Sequence, residues 1–287
     1  MNKKILILGH KAYISLGLIE KLQETGFQVS CFSRGEEQKN GNIITGNVFT
    51  LTSNTQFDDH YDTVINFILL KDRNISENIR YLKSLTDFCE LKKVKRLIHI
   101  SSISVYANDE KYVNETTLIE TNTGSKGMYS ALKIEIDKYL SSINNPSFEL
   151  CFVRPGFVIS ESIKSPLAGI AIKLPLNFCF LLGHKRTSLP LVDRDILQTA
   201  LINIVKSKDI MNVYLLLKNN GGTKYSYLKD NLKLRVILMP KWLIFSAMSA
   251  LKFTGILNDA RYAKLTGLLK ETYFDSSKTE KELNLKF

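Results

Sequence analysis

A chain of 287 residues is long enough to bury a large core in one domain or in two lobes. Its 44% hydrophobic and 23% charged residues are typical of a globular protein and argue against an intrinsically disordered chain. The formal net charge of +11 is spread along the sequence, and the one dense basic cluster, residues 92–96, lies where a predicted helix meets a strand. This distribution suits an anionic small ligand better than nucleic acid, which we do not expect as a partner.

Signals for targeting, membrane insertion and metal binding are weak. The apolar run of residues 5–8 is too short for a signal peptide and leads into Gly9 instead of a cleavage site. Lysines interrupt the apolar stretches 166–183 and 236–257, so we predict no stable membrane insertion, although an amphipathic helix that touches a membrane is compatible with them. The four cysteines and four histidines are scattered without a Cys-x-x-Cys pair, which predicts a reduced, cytoplasmic protein without a metal site.

The N-terminal segment has the pattern of a strand, a turn and a helix. Lys4–Leu8 is a buried strand by composition, Gly9 starts the turn, and a helix is predicted from about residue 13 to residue 25. This order places a pyrophosphate at a helix N-terminus in nucleotide-binding proteins.

The next elements continue a strand–helix alternation. Strands are predicted over 28–32, 42–45 and 62–67, with a helix from Asn78 to about residue 92. Arg34 follows the strand 28–32, at a position where a site for NAD tends to carry an acid and where an arginine can pair with the 2′-phosphate of NADP. The alternative for Arg34 is a solvated turn residue. We therefore favour NADP, with NAD possible.

The stretch from residue 96 to residue 133 carries the chemistry. An apolar run, 96–100, breaks into serines that include Ser102, and a polar segment, 107–128, follows as a loop over the site or as an ordinary surface connection. Tyr129 and Lys133 then lie four residues apart, on one face of a predicted helix. A lysine charge one turn away favours the phenolate form and moves a tyrosine toward acid–base work near neutral pH. The alternative is an amphipathic helix with a surface lysine.

The alternation predicts an α/β fold, a doubly wound parallel sheet of Rossmann type with a smaller C-terminal substrate lobe. Residues 1–155 form the predicted dinucleotide-binding domain, and residues 156–287 are mainly the substrate lobe, with about 190–218 returning to the first domain. Within these regions we expect strands at 149–153 and 211–217, a helix capped by Asp195, and a capping box that starts at Ser277.

These motifs resemble the extended short-chain dehydrogenase/reductase family. Its strand end, Ser-Ser-x-x-Val-Tyr, is similar to residues 101–106, and its Arg-Pro-Gly exit is similar to residues 154–156. The resemblance implies a catalytic set of Ser102, Tyr129 and Lys133, with Tyr106 as a packing residue. Its glycine turn is reduced here, because Ala12 and Ser15 stand where the family has glycines. The cofactor-binding residues that it implies are Gly9, Ala12, Tyr13, Ile14, Arg34, Asn47, Phe67, Lys133 and Pro155.

The C-terminal segments, residues 265–267 and 275–283, resemble bacterial reductases of 4-keto-6-deoxy nucleotide sugars. The resemblance implies an NADP(H)-dependent reductase of a keto nucleotide sugar in surface-polysaccharide synthesis, with a possible homodimer. Alternatives are a nucleotide-sugar 4-epimerase, which uses the same three residues, and an NADP-binding regulatory protein without catalysis. A dehydratase is disfavoured, since Ile103 and Ser104 replace the acid pair of that class.

Overall fold

The main element of the computed structural model is an eight-stranded sheet, and the structure describes residues 3–160, 170–181, 184–218, 222–238, 241–258, 262 and 272–285. The sheet strands are β1 Lys4–Leu8, β2 Gln28–Arg34, β3 Gln38–Asn40, β4 Ile43–Gly46, β5 Thr63–Asn66, β6 Arg96–Ile100, β8 Glu149–Pro155 and β13 Val213–Leu216. Their order across the sheet is β13-β8-β6-β5-β1-β2-β4-β3. The six strands from β8 to β4 pair in parallel, whereas β3 is antiparallel to β4.

The remaining strands form three small sheets. They are β7 Tyr112–Val113 with β15 Tyr273–Phe274, β9 Phe157–Ile159 with β12 Leu191–Asp193, and β10 Ala171–Lys173 with β11 Phe178–Leu181 and β14 Arg235–Leu238. The helices are α1 Leu18–Glu24, α2 Ile75–Leu91, α3 Met128–Ser141, α4 Arg194–Lys206, α5 Lys224–Ser226, α6 Lys241–Phe253 and α7 Ser277–Glu282. Short 3₁₀ turns cover Tyr13–Ser15, Val48–Ser53, Ile103–Val105 and Thr123–Ser125.

The parallel sheet forms because its central strands are apolar on both faces. Residues 5–8 of β1 and all of β5 and β6 are buried, as expected for strands covered on both sides. Beside β2, the rings of Phe32, Phe57, Tyr61 and Phe88 pack together, with the Phe57 and Phe88 centroids 4.7 Å apart. The predicted α/β fold with a doubly wound sheet of Rossmann type is confirmed.

Two compact units divide the chain. Unit 1 contains Met1–Ser102, Glu135–Arg154 and Leu197–Tyr214, and unit 2 contains Ile103–Ile134, Pro155–Ile196 and Leu215–Phe287. Helix α4 and strand β13 lie within residues 190–218. The return of this segment to the first domain and the assignment of a substrate lobe to residues 156–287 both stay predictions.

Several local predictions differ from the structure. The strand β3 is additional, and Asp195 lies in the first turn of α4 instead of at its cap. Ser276, and not Ser277, is the N-cap of α7, and its hydroxyl donates to Glu280 at 2.8 Å. Residues 265–267 lie outside the described residues.

Candidate functional site

The turn after β1 approaches the end of β5 closely, and Gly9 makes this possible. Gly9 has φ +82°, and its N–H donates to the Phe32 carbonyl at 3.1 Å. A Cβ atom at this position would lie 3.0 Å from Cγ1 of Ile68 and 3.4 Å from the carbonyl carbon of Phe67. Both the conformation and the space therefore require glycine. The structure brings the predicted residues Gly9 and Phe67 together.

The following residues turn inward instead of starting a regular helix. Tyr13–Ser15 forms one 3₁₀ turn, in which the Ser15 N–H donates to the Ala12 carbonyl at 2.9 Å. The buried Ser15 hydroxyl donates to the carbonyl oxygens of Ala12 at 2.8 Å and Gly9 at 3.2 Å. A serine that binds nearby carbonyls competes with helix formation. Tyr13 and Ile14 lie half-buried in this turn.

The prediction of a helix from residue 13 is wrong, because α1 begins only at Leu18. Gly17, with φ +86°, is the N-cap of α1, and no side chain caps it there. The carbonyls of Ile14 and Leu16 accept from Nε2 of Gln198, at 3.3 and 2.8 Å, in place of helical N–H groups. Any anion binding at this turn must therefore come from its own backbone and side chains, not from a helix that starts at Tyr13.

A cavity of about 330 Å³ opens where β2 and β4 end. Its lining includes Arg34 and Asn47, which were predicted to bind cofactor, and Arg73, which was not. Arg34 and Arg73 both lie within 4 Å of Asp72, at 3.9 and 3.8 Å, and these exposed pairs contribute little stability. Two arginines at one cavity offer the planar hydrogen-bonding groups that phosphate oxygens prefer.

Asn47 has a structural partner within this lining. Its side-chain oxygen accepts from the Phe49 N–H at 2.9 Å and so caps the 3₁₀ turn Val48–Ser53. The side chain is exposed, and its contact with a cofactor stays a prediction.

The serine that is predicted to be catalytic, Ser102, lies just after β6. Ser101 is buried and Ser102 is half-buried at the end of this strand. Tyr106 is buried in a cluster with Val105, Val113, Ile134 and Leu215, which confirms its predicted packing role. Pro155, another predicted cofactor residue, ends β8 and is buried.

The predicted phenol and ammonium lie one turn apart near the start of α3. Tyr129 is 45% exposed, whereas Lys133 is 4% exposed. The phenol is therefore accessible to a ligand while the lysine is held inside the protein, where an ammonium group is stable only with polar partners. Ser102 belongs to unit 1, and Tyr129 and Lys133 belong to unit 2, so their common catalytic role stays a prediction.

Lys126 holds the segment before α3 in place. Its ammonium donates to the Tyr106 carbonyl at 2.5 Å and to Oδ1 of Asn108 at 2.7 Å. Burial lowers the pKa of Lys126, against the opposing effect of Glu120. The sequence gives no signal for this residue, since it stands in the polar segment 107–128.

A buried ion pair joins the end of β6 to β8 and α3. Asp137 and Arg154 are both buried, and Oδ2 of Asp137 accepts from Nε of Arg154 at 3.2 Å and from Nη2 at 3.1 Å. The same oxygen accepts from the Ser101 hydroxyl at 2.8 Å. Such a shared acceptor fixes the three elements in one arrangement.

The polar cluster continues through His99 to the end of β5. Nε2 of His99 lies 4.0 Å from Oδ1 of Asp137, and Nδ1 lies 3.1 Å from Nδ2 of Asn66. Oδ1 of Asn66 accepts from the Tyr81 hydroxyl at 2.7 Å and from the Ile68 N–H at 3.0 Å. All members except Ile68 are buried, and burial raises the pKa of Tyr81 well above its usual value.

The sequence contains a signal for Asp137 that our interpretation missed. Tyr129, Lys133 and Asp137 recur every four residues along α3, and a carboxylate at the third position points to a buried cationic partner. From the sequence, Arg154 is interpreted only as part of the Arg-Pro-Gly segment, residues 154–156.

Across the described ranges, no group of His, Cys, Asp and Glu residues could hold a metal ion. Within the same ranges, no helix has the length and apolar character needed to cross a membrane. The cysteines Cys31, Cys89, Cys151 and Cys179 are buried and form no disulfide.

Comparison with known proteins gives a family match. The sequence pattern of the NAD dependent epimerase/dehydratase family matches residues 5–177. No curated protein matches the chain significantly.

Solved structures share the fold at low identity. A short-chain dehydrogenase/reductase superfamily protein from Agrobacterium tumefaciens with bound NAD is 11% identical, with a TM-score of 0.69 over 98% of this chain and 91% of that chain. MoeE5 in complex with UDP-glucose and NAD is 14% identical, with a TM-score of 0.64 over 98% and 92% of the two chains. The human epimerase family protein SDR39U1 with NADPH is 15% identical, with a TM-score of 0.66 over 99% and 94%.

The buried ion pair leads to a stability prediction. Asp137→Asn keeps the shape of the side chain but leaves the Arg154 charge buried without a counter-charge, which we expect to cost about 3–5 kcal/mol. Glu135→Gln is the matched control, because Glu135 lies on the same helix in a partly exposed pair with Lys138 and its loss should cost less than about 1 kcal/mol. Urea unfolding measures both variants. Equal destabilisation by the two would contradict the prediction.

Proposed function

The chain belongs to the NAD dependent epimerase/dehydratase family, and on this premise we propose that it is an NADP(H)-dependent reductase of a keto nucleotide sugar in surface-polysaccharide synthesis. The observation that carries the proposal is the pair on α3, an accessible Tyr129 phenol one turn from a buried Lys133. A phenol that exchanges a proton with a carbonyl oxygen needs access to substrate and a nearby positive charge, and this pair supplies both.

The residues at the nucleotide end support a nicotinamide dinucleotide. Gly9 lets the backbone after β1 approach a ligand closely. The cavity at the end of β2 has room for one nucleoside of the dinucleotide, and Arg34 and Arg73 line it. An acid in place of Arg34 would favour a free ribose hydroxyl, whereas two guanidinium groups favour a 2′-phosphate. Relatives of this fold bind NAD or NADPH. We therefore propose NADP, with NAD as the alternative.

When bound, NADPH would supply the hydride that reduces the carbonyl carbon in the proposed reaction. Tyr129 donates the proton that the carbonyl oxygen takes up, and Lys133 stabilises the resulting phenolate. The Ser102 hydroxyl donates a hydrogen bond to the same oxygen and orients it. The Asp137 cluster acts on none of these atoms directly, since its role is to hold α3 and the end of β6.

A nucleotide sugar is the proposed substrate. MoeE5, which shares the fold, is seen in complex with UDP-glucose and NAD. The net charge of +11 suits a diphosphate substrate and a phosphorylated cofactor together.

A 4-epimerase would use the same residues with no net change of cofactor. One assay distinguishes the two reactions by the amount of NADPH consumed. A reductase consumes one NADPH per molecule of keto nucleotide sugar reduced, whereas an epimerase interconverts UDP-glucose and its 4-epimer without consuming NADPH.

The turn after β1 favours a second candidate, an NADP-binding regulatory protein. The N–H groups of Ala12 and Ser15 donate within the turn, and α1 begins beyond it. A weakened phosphate site is compatible with an enzyme that binds cofactor loosely, and also with a protein that has lost catalysis. The Tyr129 pair favours the enzyme.

The proton donor gives the first functional test. Tyr129→Phe removes the hydroxyl from a half-exposed side chain, so we expect folding and NADPH binding to persist while turnover falls by roughly 10²-fold or more. Tyr139→Phe, on the same helix, is the control and should keep turnover. Steady-state NADPH oxidation with a 4-keto-6-deoxy nucleotide sugar measures both. Turnover near that of the unmodified protein in Tyr129→Phe would remove Tyr129 from the mechanism.

Cofactor choice gives the second test. Arg34→Ala should weaken NADPH binding by roughly 1.5–3 kcal/mol, the scale of a charge-assisted hydrogen bond, and change NADH binding little. Arg186→Ala replaces an exposed arginine outside the cavity and should change neither affinity. Calorimetric titration compares the two cofactors. The same loss for NADPH and NADH would show that Arg34 does not contact the 2′-phosphate.

A further inference from the structure

The helix α6 exposes an unusual amount of apolar surface. Trp242 is 69% exposed and Phe253 is 93% exposed, and Ile256 beyond the helix end is 65% exposed. Other large apolar residues of the same helix are also exposed, namely Leu243, Phe245 and Leu251. Met248 is the one residue of α6 whose side chain is described as buried. Large apolar side chains exposed in this number on one helix indicate an interaction surface.

The composition of α6 separates it from an ordinary surface helix. Between residues 241 and 258 the only charged residues are Lys241 and Lys252, and no acidic residue occurs. A solvent-exposed helix of a globular protein normally carries charges on its outer face, whereas a helix that is apolar around most of its circumference is covered by something. The partner that covers α6 must therefore be apolar, with anionic groups at its edge.

We propose that α6 lies in the interface of an anionic lipid bilayer. Its 13 residues span about 20 Å, which is shorter than the apolar core of a bilayer, so the helix fits parallel to the surface and not across it. Tryptophan and phenylalanine at its ends suit the boundary between headgroups and acyl chains. Lys252, in the last turn of α6, suits the anionic headgroups.

The segment that leads into α6 is basic as well. Three basic side chains of this segment are exposed, those of Lys229, Lys233 and Arg235. They outnumber the one exposed acidic side chain, that of Asp230. Ile237 and Leu238 of β14, the strand that precedes the helix in the chain, are exposed as well. A second copy of the chain is a poorer occupant, because two proteins of charge +11 repel each other, whereas an anionic bilayer attracts that charge. This inference is independent of the reaction proposed above.

The chain contains a built-in probe for this surface, because Trp242 is its only tryptophan. The full-length protein is mixed with vesicles of phosphatidylcholine and phosphatidylglycerol, and its tryptophan emission is recorded. We expect a shift of the emission to shorter wavelength with anionic vesicles, a weaker response with phosphatidylcholine alone, and a smaller response at high salt. An unchanged emission at all lipid compositions would overturn the proposal, and so would an equal response to neutral vesicles.

Vesicle flotation of variants tests the helix itself. The double variant Leu243→Gln/Phe253→Gln keeps Trp242 and replaces two exposed apolar side chains by good helix formers, so folding should persist. Its partitioning into anionic vesicles should fall by roughly tenfold or more. Leu91→Gln is the matched control, because Leu91 is also apolar and 58% exposed but lies at the end of α2.

Two results would count against the lipid surface. Equal flotation of the double variant and the control would show that α6 does not carry the binding. A dimer in sedimentation velocity that the double variant dissociates, with no flotation of either protein, would assign the helix to a second copy instead. Both outcomes leave the reductase proposal unaffected, because catalysis is measured without vesicles.

Discussion

The arrangement of the strand ends in unit 1 depends on the buried ion pair between Asp137 and Arg154. A buried charge is tolerated only when its partners are fixed. Here, one carboxylate oxygen of Asp137 binds both the Arg154 guanidinium group and the Ser101 hydroxyl. The three groups come from α3, β8 and the end of β6. Since Asp137 lies on the helix that also carries Tyr129 and Lys133, the ion pair limits how that helix can rotate or slide. We infer that this polar cluster fixes the part of α3 around Asp137 against the ends of β6 and β8.

Much of the fold could be predicted from local sequence patterns. The strand β1 coincides with its predicted bounds, and the spacing of Tyr129 and Lys133 placed them on one helix, because these features depend on short-range periodicity. The start of the first helix could not be predicted. Ser15 and Gly17 are local causes of the interruption, but the carbonyls of Ile14 and Leu16 accept from Gln198, which is more than 180 residues away in the sequence and leaves no local signal.

The cavity at the ends of β2 and β4 shows the same division. Arg34 is expected there from its place after β2, but Arg73 follows β5 and lines the cavity only because of the order of strands in the sheet. From a single sequence, strands can be identified more readily than the loops that lie together at the strand ends. The exposure of α6 is likewise a tertiary property, since its composition alone is equally compatible with a buried helix.

We propose that the chain binds a nicotinamide dinucleotide and prefers the phosphorylated form. Isothermal titration calorimetry of the purified protein with NADPH and then with NADH tests this binding without knowledge of the substrate. We expect saturable binding of one dinucleotide per chain, with NADPH tighter than NADH. No binding of either dinucleotide at about 1 mM would contradict the reductase, the epimerase and the regulatory protein together.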